Sequence, residues 1–252
     1  MSDQMETIFN DYGCHIDKFI EPDTLEHISD NFNKIILVDN IKYTLCKDDA
    51  GIFVLVSSRY VIKIYSQNTY NKLVNIYHRL WRNNHGNVFN HIEKIYYYFS
   101  LVNGVTIHDT YPNFTPKHGT CHLTINELLL PLFPNIDKSN IVWNKDMVKK
   151  LLIDTSLALI VLHQINIVHG DTTPDNVGLR ISDNNFVLYD FGDAHDGYDY
   201  LSDVNRFLKS ILITYKSFFG EYINEIKKIK ETVNTGNYGL YDFYNAINTN
   251  FE

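Results

Sequence analysis

The chain is short of positive charge, of cysteine and of long apolar runs, and each shortage excludes something. Lys and Arg total 22 against 30 Asp and Glu, for a formal net charge of −8 at pH 7. Affinity for nucleic acid is built largely from Lys and Arg on phosphates, so no nucleic-acid partner is expected. The three cysteines, Cys14, Cys46 and Cys121, are scattered, and no CxxC occurs. They fit reduced thiols inside a cell and not a disulfide framework. His108, His118, Cys121 and His122 are too irregularly spaced for a zinc site, and no metal is expected there. No apolar run approaches the roughly 18–20 residues of a membrane span. The longest, LALIVL and NELLLPLF, suit a core helix and a buried strand. The opening MSDQMETIFNDYG is acidic and has no apolar h-region, so no signal peptide is expected. A soluble, intracellular protein follows. Ala and Gly are sparse while Asn, Ile, Tyr and Lys are abundant. That usage fits an AT-rich genome such as a parasite or a large DNA virus, which would place the protein in a host cytoplasm.

What the chain does have is a change of texture along its length. Its 252 residues suffice for one large domain or two small lobes. Within residues 1–34, DTLEHISDNFNKI places Leu25, Ile28 and Phe32 at helical spacing. IILVDN, IKYTLCK, IFVLVSS and YVIKIYS then read as short strands of an antiparallel meander. TYNKLVNIYHRLWRNN is helical, with Leu73, Ile76, Tyr77, Leu80 and Trp81 on one face. IEKIYYYFSL and LTINELLLPLF read as strands, with a polar loop between them. MVKKLLIDTSLALIVLHQ is a strong helix whose stripe is Met147, Leu151, Leu152, Leu159 and Leu162. After IVHGDTTPDNVGL come a short strand, FVLYDFG, and helices from DVNRFLKSILITY to the end. The order predicts an α+β fold with two lobes: an extension over 1–34, a β-rich lobe over 35–130 and a helical lobe over 131–252.

Four polar residues interrupt this pattern in order. Lys63 sits in the strand VIKIY, Asp171 and Asn176 lie five positions apart in a turn after the long helix, and Asp190 opens DFG after a β-like run. Each alone has a plain reading: Lys63 as a solvated strand lysine, Asp171 and Asn176 as turn and cap residues, Asp190 as the cap of a turn at Gly192. Together they are the set phosphoryl transfer needs, where positioning, metal binding and charge neutralisation dominate.

LALIVLHQINIVHGDTTPDN, VIKI and YDFGD together resemble the catalytic-loop, strand-lysine and metal-binding motifs of the eukaryotic-type protein kinase superfamily. The resemblance covers roughly Ile41 to Tyr215. It implies a two-lobed kinase-like fold with a small β-rich N-lobe and a reduced helical C-lobe, ATP and Mg2+ as cofactors, and transfer of the γ-phosphate to a hydroxyl of a protein or a small molecule. It further implies that Lys63 holds phosphates, that Asp171 faces the acceptor hydroxyl, that Asn176 and Asp190 bind magnesium, that His169 packs on Phe191, and that NELLLPLF contains the adenine-binding hinge.

Several positions depart from the family pattern. Cys46, Asp48 and Gly51 fall at the three glycine positions of the phosphate loop, and only Gly51 survives. The helix after Lys63 has no Glu to pair with it. Gly170 replaces the Arg that reads activation-loop phosphorylation, and HGD also resembles small-molecule phosphotransferases. Thr173 replaces a phosphate-facing Lys, and the segment from Gly192 to the expected anchor Asp203 is very short. These departures fit an atypical Ser/Thr kinase, with a pseudokinase acting as a binding scaffold, or a small-molecule phosphotransferase, as the alternative.

Overall fold

Short strands of β-branched and aromatic residues, separated by polar breaks, pair with their nearest neighbours in sequence. β1 (Ile35–Val38), β2 (Ile41–Asp49), β3 (Ile52–Val56) and β4 (Tyr60–Tyr65) form an antiparallel meander. β5 (Ile95–Val102) and β6 (Thr120–Glu127) complete the sheet, in the order β1-β2-β3-β4-β6-β5. In this computed structural model the described residues are 35–38, 41–49, 52–56, 60–65, 67–83, 88–102, 120–127, 129–133, 139–235 and 238–251. The expected helix within 1–34, the polar loop with His108 and His118, and Gly51 lie outside them.

The chain forms two compact units. The first takes in the chain up to Asn75 together with Lys94–Leu128, and the second Ile76–Glu93 with Leu129–Glu252. The fold is α+β, a sheet-based unit and a helical one. The division differs from a single cut near residue 130 because Ile76–Glu93 is tied into the second unit. Ile92 bridges Leu188 in parallel, Glu93 N–H donates to Leu188 O at 2.9 Å, and the buried Arg180 guanidinium donates to Asn90 O at 2.8 Å and Phe89 O at 3.0 Å.

Helix α1 (Gln67–Arg82) buries Leu73, Ile76, Tyr77 and Leu80 as its periodicity predicts. Trp81 departs from that face. It sits in the last turn, 57% exposed, with its ring tilted 5.2 Å from Phe89. The run expected as one strand through LTINELLLPLF divides in two: β6 ends at Glu127, and β7 (Leu130–Pro131) joins a different sheet in the second unit.

Helix α2 (Lys145–Gln164) is the axis of the second unit. The Asn144 side chain caps it, accepting from Met147 N–H at 2.9 Å. Leu151, Leu152, Leu159 and Leu162 are buried, and so are Asp154, Thr155 and Ser156 on other faces. β8 (Ile167–Val168) follows, then β9 (Val177–Arg180) and β10 (Asn185–Leu188), an antiparallel hairpin. β11 (His195–Asp196) pairs back onto β8. α3 (Tyr200–Ile213), α4 (Lys216–Phe219), α5 (Ile223–Val233) and α6 (Asp242–Asn250) finish the unit around Phe207, Ile211, Phe219, Ile226 and Phe243, all buried. Among the described residues no helix is long and apolar enough to cross a membrane.

Candidate functional site

The loop between β8 and β9 is built around one buried carboxylate. Asp203, in the first turn of α3 and 1% exposed, accepts four hydrogen bonds: from His169 N–H at 2.8 Å, Gly170 N–H at 2.9 Å, Thr172 Oγ1 at 3.0 Å and His163 Nε2 at 3.1 Å. Burial by itself would raise this carboxyl's pKa. The donors from His163, His169 and Gly170 outweigh it and hold the group below its ordinary 3.8. The anchoring role expected of Asp203 is therefore visible in its bonds. Thr172 and His163 were not foreseen, because their part in the loop depends on where α2 and α3 meet.

His169 is fully buried and turned inward. Its ring lies 5.0 Å from that of Phe191, which in turn lies edge-on to Tyr77 at 5.8 Å. Nε2–H donates to Tyr189 O at 3.1 Å and Nδ1 accepts from Asp171 N–H at 3.3 Å, which fixes the neutral tautomer. Burial holds its pKa below 6.5, against the opposing pull of Asp203.

Asp171 and Asn176 are joined directly. Asn176 Nδ2 donates to Asp171 O at 2.8 Å and to Asp171 Oδ2 at 2.9 Å. Both of that amide's hydrogens are thus used toward Asp171, and Asn176 Oδ1 has no protein donor among the described residues. The β9–β10 register pairs Val177 with Leu188, and Tyr189 N–H donates to Asn176 O at 2.9 Å. Asn176 and Asp190 therefore stand at the same end of one hairpin. Asp190 has φ of 64°, a left-handed conformation that Asp tolerates better than most residues, and its Oδ1 accepts from Gly192 N–H at 3.4 Å.

Arg206 was not anticipated. It lies three residues beyond Asp203 on α3, so both project from one face of the helix, and its Nη1 reaches Asp171 Oδ1 at 2.5 Å. Thr173 leaves its own position uncharged, yet a cation meets Asp171 from a different element. A helical pairing with Asp203 was the signal that could have found it.

Gly170 has a physical reason of its own. Its φ is +80°, and a Cβ there would stand 2.7 Å from Asp193 O and 3.2 Å from Asp193 C. An Arg cannot occupy this backbone. Gly170→Ala combines a left-handed strain with a backbone clash and should destabilise the protein by about 2–4 kcal/mol, read as a lower urea midpoint with an unchanged slope.

Lys63 belongs to the first unit. It is half-buried on β4, opposite Val54 on β3 and Thr124 on β6. Thr124 and Asn126 share its face of the sheet, both fully buried, with Thr124 Oγ1 donating to Asn126 Oδ1 at 2.5 Å. Among the described residues Asn126 Nδ2 is buried without a hydrogen-bond partner. Among the described residues no group of three or more His, Cys, Asp or Glu side chains could hold a metal ion. Asp171, Asn176 and Asp190 are brought together on the second unit, while Lys63 falls in the first.

No protein-family model and no curated protein matches the chain. Among solved structures it is similar to vaccinia related kinase 3, at 14% identity and a TM-score of 0.44, over 67% of this chain and 54% of that one. It is also similar to the PK-1 kinase of Cydia pomonella granulovirus, at 23% identity and a TM-score of 0.42, over 61% of this chain and 55% of that one. The chain spans about half the length of these structures.

Proposed function

We propose that the protein is an atypical kinase that moves the γ-phosphate of ATP to a hydroxyl, with a protein Ser or Thr as acceptor. The observation that carries this reading is the Asn176 amide holding both the carbonyl and the carboxylate of Asp171, in a loop whose backbone is pinned by Asp203. A turn that only capped a helix has no need of a fixed, 37% exposed carboxylate. The acceptor oxygen would bond to the γ-phosphorus as the bond to the β–γ bridging oxygen breaks. ADP leaves, and the hydroxyl proton passes to Asp171. Orienting that hydroxyl is the larger part of the work, because the transition state is loose.

The donor set fits magnesium. Asn176 Oδ1 and the Asp190 carboxylate are hard oxygen ligands, the type this ion takes alongside phosphate oxygens and water. Magnesium would supply charge neutralisation on the phosphates. The unpartnered Asn126 amide on the Lys63 face suits a polar ligand in the first unit. Magnesium-ATP should therefore raise the melting temperature, and Lys63→Ala should remove most of that rise. No rise at millimolar nucleotide would sink the nucleotide reading.

A pseudokinase is the second reading, favoured by the Arg206 guanidinium on Asp171 Oδ1. Binding of magnesium-ATP without transfer to any hydroxyl, protein or small-molecule, would select it.

A further inference from the structure

The chain carries a net charge of −8, yet the groove that Arg206 shares is lined by cations. A groove of about 750 Å³ runs between α3 and α5, lined among others by Asn205, Arg206, Lys209, Ser210, Lys230 and Asn234. Three of these are cations and none is a carboxylate. Lys209 and Lys230 have no ion-pair partner among the described residues. Their neutral neighbours are already ordered. Asn205 and Asn234 exchange reciprocal amide bonds at 3.0 and 3.1 Å, and Asn234 Nδ2 also donates to Lys230 O at 2.8 Å. The concavity is thus braced by hydrogen bonds, and two of its three cations carry no ion-pair partner among the described residues.

One residue joins this groove to the loop. Arg206 lines it and also bonds Asp171 Oδ1. Lys209 lies one helical turn further along α3, roughly 5 Å by helical rise. An extended peptide covers that distance in roughly two residues.

We infer that the groove is a docking subsite for a phosphate oxyanion carried by the acceptor a short distance from the hydroxyl that reaches Asp171. That the ligand is the acceptor rests on the phosphotransferase reading; that the groove binds an oxyanion does not. An oxyanion seated between Lys209 and Lys230 would also compete with Asp171 for the Arg206 guanidinium. It would free the carboxylate at the moment the acceptor arrives. The pairing that favours a pseudokinase would then be the resting state of a substrate-opened site.

The test is an amide-resolved titration of the full chain with phosphoserine, with a short phosphoserine peptide and with the same peptide unphosphorylated. The wild type should show saturable shifts at Ser210, Lys230 and Asn234 with the two phosphorylated probes and not with the third. Lys209→Ala/Lys230→Ala, in which neither residue belongs to the core, should weaken binding at least about tenfold while keeping the melting temperature and the rise caused by magnesium-ATP. A tighter peptide than free phosphoserine assigns a peptide acceptor; equal affinity assigns a small phosphorylated one. Equal binding by wild type and double variant, or no saturable shift with either phosphorylated probe, overturns the groove. Oxyanion binding without any magnesium-ATP effect would leave the groove standing and remove the kinase reading instead.

Discussion

Asp203→Ala should destabilise the protein by about 3–5 kcal/mol, the cost typical of removing one side of a buried charged network. Four donors lose their acceptor at once, two of them the backbone N–H groups of His169 and Gly170. The N–H of His169 cannot turn to water, since that residue is fully buried. Urea unfolding followed by circular dichroism would read the loss, and a change under about 1 kcal/mol would show that the network is dispensable. The pH dependence has a definite sign. The Asp203 carboxyl is held below 3.8 in the folded protein. Its contribution is therefore present above that value and disappears as pH falls through the folded pKa. His169 acts in the same direction but earlier. Its folded pKa lies below 6.5, so the unfolded chain takes up the proton first and stability declines as pH drops below 6.5. Asp203→Ala should flatten the lower part of the wild-type profile and, by removing the pull that raises the His169 pKa, steepen the decline below 6.5.

Asp171→Asn should abolish most phosphoryl transfer, by roughly 10²–10⁴-fold, and leave the fold almost unchanged. The substituted side chain is partly exposed, and its ion pair with Arg206 is also solvent-accessible, so its loss should shift stability by less than about 1 kcal/mol. Transfer of labelled phosphate to a generic protein substrate and to the protein itself gives the rate, and a thermal melt gives the control. Equal transfer by wild type and variant would remove Asp171 from the chemistry. The rise in melting temperature with magnesium-ATP should survive the substitution, because the role proposed for Asp171 is toward the acceptor and not the nucleotide.

Much of this arrangement was legible in the residues. The period of α2, the alternation of β4 and the hairpin between Arg180 and Asn185 are local patterns, and local patterns set elements. Asp171, Asn176 and Asp190 stood out as polar residues in order, and they lie in one loop and hairpin of the second unit. Arg206 and His163 were not. Each acts on a residue 35 to 40 positions away, through contacts that exist only after α2 and α3 pack. Trp81 was misplaced for a related reason: a helical stripe says which residues share a face, not where the covering layer ends. The break between β6 and β7 escaped notice because NELLLPLF is apolar throughout and carries no sign of a change of sheet.

The segment after Phe191 is fastened at two points: Val168 pairs with His195, and Arg79 holds both Asp196 and Ile165 O. In a phosphotransferase such a segment has one setting. The amount of protein made, and the supply of acceptor, would be the quantities left to govern its output.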